Sequence, residues 1–274
     1  MKYAVLGTPI AHSRSPKLQM GFAKAAGIAD FSYERIETDR DALESTVKRL
    51  VSEGYAGFNC TMPLKTDMSA LADTLTHEAK LLRSVNTVAV RDGKLDCATT
   101  DGGGIILTAK RALGESVSGK NVLLLGAGGA ARSAALSLSL AGARLTILNR
   151  TVSAADELCG MIGGGLPAAL NAENLDEYSR GADLLVNCTS LGMRGKPEFD
   201  DFGFLGNLSD GGVVIDAVYD PLETKLLAAA KERGLSAMSG LWMLVYQGAL
   251  AFEWWTGILP DEDACYEAFC DISK

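Results

Sequence analysis

The stretch Val122-Leu123-Leu124-Leu125-Gly126-Ala127-Gly128-Gly129-Ala130-Ala131 sets the pattern G-x-G-x-x-A between a short apolar strand and a helical run. Gly126 permits a tight turn, Gly128 lets a pyrophosphate approach the backbone, and Ala131 is small enough for close helix–strand packing. The helix that follows would offer free N–H groups and the positive end of its dipole to an anion. A strand before the glycines and a helix after them make this a dinucleotide site rather than a merely tight turn. The next strand ends in Asn149-Arg150-Thr151, where a site for NAD would carry Asp or Glu against the ribose hydroxyls. No carboxylate stands there to repel a 2′-phosphate, and a guanidinium stands ready to pair with one. The expected cofactor is NADP, with NAD the less preferred alternative.

A second group of residues suits a small polar ligand. Ser13 and Ser15 bracket Arg14 in a loop ahead of a helix, and Asn59, Thr61 and Lys65 surround the end of a strand at 56–62. Asn86 and Thr87 interrupt an otherwise apolar strand, and Thr99, Thr100 and Asp101 precede three glycines. Hydroxyls, amides, one Lys and one Asp fit a polyhydroxylated molecule. Site groups built to bond a ligand's hydroxyls are left unsatisfied by a ligand that lacks them, which makes such sites selective. Each residue also has an ordinary reading: Ser15 and Asp101 as N-caps, Asn59 and Asn86 as turn residues, Lys65 as a solvated helix residue.

The elements that must position these groups alternate along the chain. Strands are predicted at 3–6, 31–37, 56–62, 85–91 and 94–98, with Asp92-Gly93 as a hairpin turn. Helices are predicted from Ser15-Pro16 to 28 and over 41–53, and a third runs from the glycines after Asp101 to 113. Beyond it come strands at 122–125, 145–148, 184–186 and 213–218 and helices at 130–140, 151–161 and 221–233. From 240 onward the chain reads as helical and carries Trp242, Trp254 and Trp255. The later strands are continuous apolar runs, the mark of a parallel sheet covered on both faces.

A length of 274 residues favours two domains, and 47% hydrophobic with 22% charged residues is globular. The net charge of −8 argues against a nucleic-acid partner, which needs a basic face. It still allows an anionic small molecule met by a local cation. Six cysteines with no Cys-x-x-Cys, and only His12 and His77 to join them, give no expectation of a metal. Cys60, Cys97 and Cys188 sit in apolar runs and read as buried free thiols of a reducing compartment. The opening apolar run is too short for a signal peptide. The run at 241–255 is broken by Gln247 and Glu253 and falls short of the ~20 residues of a membrane span. A cytoplasmic protein with no membrane partner is expected.

Several motifs now line up in order. They are Gly7-Thr8-Pro9-Ile10-Ala11-His12-Ser13-Arg14-Ser15-Pro16, Gly57-Phe58-Asn59-Cys60-Thr61-Met62-Pro63-Leu64-Lys65, Val85-Asn86-Thr87 and Thr100-Asp101-Gly102. The dinucleotide turn and Asn149-Arg150-Thr151 follow, then Asn187 to Met193, Val218-Tyr219-Asp220-Pro221, and Gly240 with Gln247-Gly248-Ala249. In these motifs the chain resembles the shikimate dehydrogenases, part of a shikimate/quinate dehydrogenase family. The resemblance implies an α/β protein with an N-terminal substrate-binding domain (1–101 and 237–274) and an inserted NAD(P)-binding Rossmann domain (102–236). It places the active site in the interdomain cleft. The implied reaction is NADPH-dependent reduction of 3-dehydroshikimate to shikimate, in chorismate and aromatic amino-acid biosynthesis. Lys65 and Asp101 would be the catalytic pair. Ser13, Ser15, Thr61, Asn86, Tyr219 and Gln247 would hold the substrate. Gly126, Ala127, Gly128, Gly129, Ala130, Ala131, Asn149, Arg150, Thr151, Ala217 and Gly240 would line the cofactor.

Four positions depart from the family pattern. Leu64 stands for a frequent His and Cys60 for the usual Val. Thr99 stands for Asn in the turn that feeds Asp101, and Ala154 replaces a second basic residue near the 2′-phosphate. Alternative readings are a quinate or aminoshikimate dehydrogenase of the same family, or a non-enzymatic metabolite sensor on this scaffold. The chain is expected to act as a monomer or homodimer.

Overall fold

Apolar runs and their breakers fix the order of elements in a computed structural model that describes residues 1–273. The first hundred residues hold β1 (Lys2–Gly7), α1 (Ser15–Ala25), β2 (Ser32–Glu37), α2 (Leu43–Ser52), β3 (Tyr55–Cys60), α3 (Lys65–Leu71), β4 (Thr74–Leu75), α4 (His77–Leu82), β5 (Thr87–Arg91) and β6 (Lys94–Ala98). Then come α5 (Asp101–Leu113), β7 (Asn121–Leu125), α6 (Gly129–Leu140), β8 (Arg144–Asn149), α7 (Val152–Ile162), β9 (Leu166–Ala169), α8 (Ala172–Tyr178) and β10 (Leu184–Asn187). The last are β11 (Val213–Asp216), α9 (Lys225–Glu232), β12 (Ser236–Ser239), α10 (Gly240–Thr256) and α11 (Glu262–Ser273). Two units form: Met1–Thr100 with the chain from Val245 on, and Asp101–Leu244.

The first unit is built on a mixed sheet in the order β2-β1-β3-β5-β6-β4. Strand alternation sends Ala4, Leu6, Phe58 and Cys60 to one face, where they meet Leu43, Val47 and Leu50 of α2 and Met68 of α3. Burying each large apolar side chain there stabilises the fold by about 1.5–3 kcal/mol. Tyr3 points the other way and stacks on Phe31 and on Trp255, with ring centroids 4.7 Å apart in both pairs. Phe252 adds contacts to Phe22 and Phe31. The aromatic residues of α10 thus fasten the end of the chain to strands formed at its beginning.

The second unit is an all-parallel sheet in the order β12-β11-β10-β7-β8-β9. Val122, Leu124, Ile147, Val186 and Ile215 bury on the side of α5, α6 and α7. Leu123, Leu125, Leu148, Leu185 and Val214 bury on the opposite side, with Leu226 and Leu227 of α9. Both faces are covered, which is why these strands show no polar alternation. The strand order reverses between β7 and β10, and ligands of such sheets bind at the strand C-termini beside that point.

Several expectations change. The second unit extends to Leu244 rather than 236, because Ser236–Ser239 pairs parallel with β11 as an edge strand. Asp101 opens α5 and falls with the second unit instead of closing the first. Ser15 is the first helical residue of α1 and not its N-cap; Arg14 holds the cap position. The helix expected from 221 starts at Lys225, because Thr224 Oγ1 caps it by accepting from Leu227 N at 3.3 Å. Strands β4, β9 and β12 are absent from the sequence reading; all lie at sheet edges with exposed or half-buried side chains, so no apolar run marks them. No helix among the described residues is long and apolar enough to cross a membrane.

Candidate active site

One edge of the first sheet collects its polar residues. Strands β1 and β3 are parallel, and β5 runs antiparallel to both β3 and β6. The C-terminal ends of β1, β3 and β6 therefore lie beside the N-terminal end of β5. Ser13 and Ser15 follow β1, Thr61 and Lys65 follow β3, Asn86 precedes β5, and Thr99 and Thr100 follow β6. Backbone bonds carry this edge past the strands: Thr61 N to Leu6 O at 2.9 Å, Cys60 N to Asn86 O at 2.9 Å, and Asn86 N to Ala98 O at 3.1 Å. Val85 N donates to Lys65 O at 2.9 Å, which seats the half-buried lysine at the first position of α3.

The side chains form a buried network. Asn86, 2% exposed, donates through Nδ2 to Thr100 Oγ1 at 3.0 Å and to Gln247 Oε1 of α10 at 3.3 Å. Its Oδ1 accepts from Thr100 N and Thr87 Oγ1, each at 2.9 Å. Asn59 Nδ2 donates to Asn86 O at 2.9 Å and Thr87 Oγ1 at 3.1 Å, and Tyr33 Oη donates to Asn59 Oδ1 at 2.6 Å. The serine loop is pinned separately: Arg35 Nε and Nη2 donate to Ser13 O at 3.0 and 2.6 Å, and Ser15 N donates to Ser13 Oγ at 3.3 Å. Thr99 Oγ1, at one of the departures from the family pattern, is buried without a hydrogen-bond partner. Such an assembly presents fixed donors and acceptors, as recognition of ring hydroxyls requires.

The thiols near this edge do no acid–base chemistry. Burial pushes Cys60 far above the usual thiol range and Cys97 up to about 12. In the second unit burial drives Cys188 up to about 12, with Asp216 adding to it. A thiol held so high supplies no thiolate near neutrality. No group of three or more His, Cys, Asp or Glu among the described residues could hold a metal ion.

In the second unit the glycine turn lies at the switch point. Gly126 has φ +107°, and a Cβ there would sit 3.1 Å from Cys188 O, at the end of the neighbouring β10. Both the backbone angle and the approach require glycine. At Gly128 and Gly129 an added Cβ would meet nothing within 4 Å, so the space in front of this backbone is open. Helix α6 has no side-chain N-cap and no acidic residue in its first turn, while Ala131 is fully buried against the sheet. Open backbone, uncapped N–H groups and close packing behind them fit a dinucleotide pyrophosphate. Asn149, Arg150 and Thr151 line a cavity of about 590 Å³ together with Thr189, Ser190 and Leu191. The last three lie within the Asn187 to Met193 motif and are not among the residues expected at the cofactor. Asp176, Glu198, Asp200 and Asp201 also line this cavity.

Asp216, fully buried at the end of β11, stitches the loops that follow. It accepts from Asn187 Nδ2 at 2.9 Å, Thr224 Oγ1 at 2.6 Å and Val218 N at 3.1 Å. Burial raises its pKa, and these three hydrogen bonds work against the rise. Asn187 in turn accepts from Thr189 N and Oγ1 at 3.0 and 2.6 Å. Ala217 N donates to Asn187 O at 2.8 Å, and a Cβ on Gly240 would lie 2.2 Å from Ala217 O. Gly240 is therefore needed for the 217 loop to lie down on the start of α10. The loop leaves Tyr219 44% exposed. Of the residues expected at the site, Ser13, Ser15, Thr61, Lys65, Asn86 and Gln247 belong to the first unit. Asp101, Tyr219 and the cofactor set belong to the second.

Comparison with known proteins follows the same division. Residues 5–88 match the shikimate dehydrogenase substrate binding domain, residues 108–192 the shikimate/quinate 5-dehydrogenase family, and residues 240–268 the shikimate 5′-dehydrogenase C-terminal domain. Shikimate dehydrogenase (NADP(+)) of Geobacter sp. strain M21 is 40% identical over 274 residues, covering 96% of this chain and 92% of the relative. The crystal structure of Thermus thermophilus shikimate 5-dehydrogenase in complex with NADP(H) and shikimate is similar at TM-score 0.84 and 37% identity, over 99% of both chains. A ligand-free 5-ketofructose reductase of Gluconobacter sp. strain CHM43 is similar at TM-score 0.88 and 31% identity, over 99% of this chain and 98% of that one.

Proposed function

We infer the reaction from one premise: this chain belongs to the shikimate dehydrogenase family. It is an NADP-dependent oxidoreductase that reduces 3-dehydroshikimate to shikimate, within chorismate and aromatic amino-acid biosynthesis. The observation that carries the reading is a pairing within one chain. The first unit gathers hydroxyls, amides and one lysine at a sheet edge, and the second holds an open glycine turn followed by Arg150 with no carboxylate at the strand end. NADPH, when bound, supplies the hydride. In our reading Ser13, Ser15 and Tyr219 take the substrate carboxylate, and Thr61, Asn86 and Gln247 bond its hydroxyls. Lys65 Nζ gives a proton to the oxygen left on the reduced carbon and takes one back in the reverse direction. Asp101 accepts a substrate hydroxyl and orients the lysine. Gly126 to Ala131, with Ala217 and Gly240, form the bed of the dinucleotide. The cytoplasm suits the free thiols, and the chain acts as a monomer or homodimer.

A shikimate-dependent rise in NADPH absorbance with purified protein tests the reaction; its absence at high protein concentration refutes it. A second reading has one observation in its favour. The Gluconobacter reductase shares this architecture, so a different polyhydroxylated carbonyl compound, or quinate's keto precursor, could be the substrate. Comparative turnover separates the two.

Arg150 carries the cofactor preference. Arg150→Ala raises KM for NADP by about 10–100-fold, the worth of one or two charge-assisted hydrogen bonds, and changes KM for NAD little. Steady-state kinetics with both cofactors check this, and equal effects on the two would remove Arg150 from the 2′-phosphate.

A further inference from the structure

Tyr33 lies on β2, two residues from Arg35, so both side chains leave the strand on the same side. Arg35 holds the Ser13 carbonyl. The Tyr33 phenol donates to Asn59 Oδ1 at 2.6 Å. Asn59 then donates to Thr87 Oγ1 at 3.1 Å, Thr87 donates to Asn86 Oδ1 at 2.9 Å, and Asn86 donates to Gln247 Oε1 at 3.3 Å. An unbroken line of hydrogen bonds runs from Tyr33 to Gln247.

We propose that Tyr33 is a positioning residue that acts through Asn59 on Asn86 and Gln247, so that the amides meeting the ring hydroxyls of the substrate are held in place. The proposal rests on the substrate reading given above. Tyr33 is 8% exposed, and Asn59 is equally buried. Without the phenol, Asn59 Oδ1 has no other donor in the network. A buried amide in that state turns toward a new partner, and it is the group that holds Thr87 and the Asn86 carbonyl. Tyr33 also packs against Trp255, with ring centroids 6.1 Å apart. Phenylalanine keeps that contact, so Tyr33→Phe removes the hydroxyl while the fold stays packed.

The test measures KM for shikimate and for NADP in Tyr33→Phe, Asn86→Ala and the double variant. Tyr33→Phe should raise KM for shikimate about tenfold, the equivalent of one hydrogen bond, with KM for NADP within about twofold. A merely structural loss would not single out one of the two ligands. The double variant should lie within about twofold of the worse single variant, because both changes cut the same line. A double loss equal to the product of the single losses overturns the relay. So does a Tyr33→Phe enzyme with wild-type KM for shikimate while Asn86→Ala raises it, and that result leaves the substrate reading standing. Asn86→Ala with unchanged KM for shikimate overturns both.

Discussion

Lys65→Met lowers kcat by about 10²–10⁴-fold in both directions and leaves KM for NADP nearly unchanged. The residue is the sole group in the proposed substrate set of the first unit that can carry a proton to a developing alkoxide; serine, threonine and amide side chains do not exchange one readily near neutrality. Its place is fixed by the fold: it opens α3 directly after the turn that ends β3, and its carbonyl is bonded to Val85 N at 2.9 Å. Methionine preserves the length and packing of the side chain while deleting the proton. Lys65→Arg, which keeps the charge but holds its protons too tightly to give them up, should fall in the same range. Stopped-time product assays in each direction check the effect. Turnover within about threefold of wild type would exclude Lys65 from the proton transfer.

The second large effect is on the cofactor unit. Asp216→Ala destabilises the protein by about 3–5 kcal/mol, because it strips the acceptor from several buried donors at once. Those donors are Asn187 Nδ2, Thr224 Oγ1 and Val218 N. Thermal unfolding should show a fall in Tm of roughly 6–15 °C for a chain of this size. Because the same carboxyl ties down the loops bearing Ala217 and Thr189, KM for NADP should rise in the fraction that remains folded at low temperature. Thr224→Val removes one of the three bonds together with the N-cap of α9, and should cost about 2 kcal/mol. An Asp216→Ala protein that melts with wild type would show that the loops stand without this anchor.

What the sequence discloses here is what is local. The dinucleotide turn needs Gly126, Gly128 and Ala131 within six consecutive positions, and the choice of cofactor sits at one strand end, at Arg150. Both can be read without knowing the fold. The Asn86 to Gln247 bond spans 161 residues, and nothing in the local pattern of either segment points to the other. Resemblance to a family places both residues at the substrate but does not reveal the bond. Tyr33 is hidden by its surroundings: in a strand of alternating residues an aromatic side chain reads as core, and the Asn59 that makes it polar arrives from β3. Ser15 and Asp101 read as possible N-caps, because a short polar residue before a helix usually caps it. Both instead begin their helices. Edge strands such as Ser236–Ser239 carry too little apolar signal to be seen, and that moves the unit boundary into α10.

This chain reduces 3-dehydroshikimate with NADPH. The most direct measurement is kcat/KM in the reducing direction for 3-dehydroshikimate, 3-dehydroquinate and 5-ketofructose under the same conditions. The serine pair and the Asn86–Gln247 cluster predict that 3-dehydroshikimate exceeds each of the others by at least about tenfold, since a site matched to one set of hydroxyls and a carboxylate rejects its neighbours. A higher value for 5-ketofructose or 3-dehydroquinate, or no turnover of 3-dehydroshikimate, would contradict it.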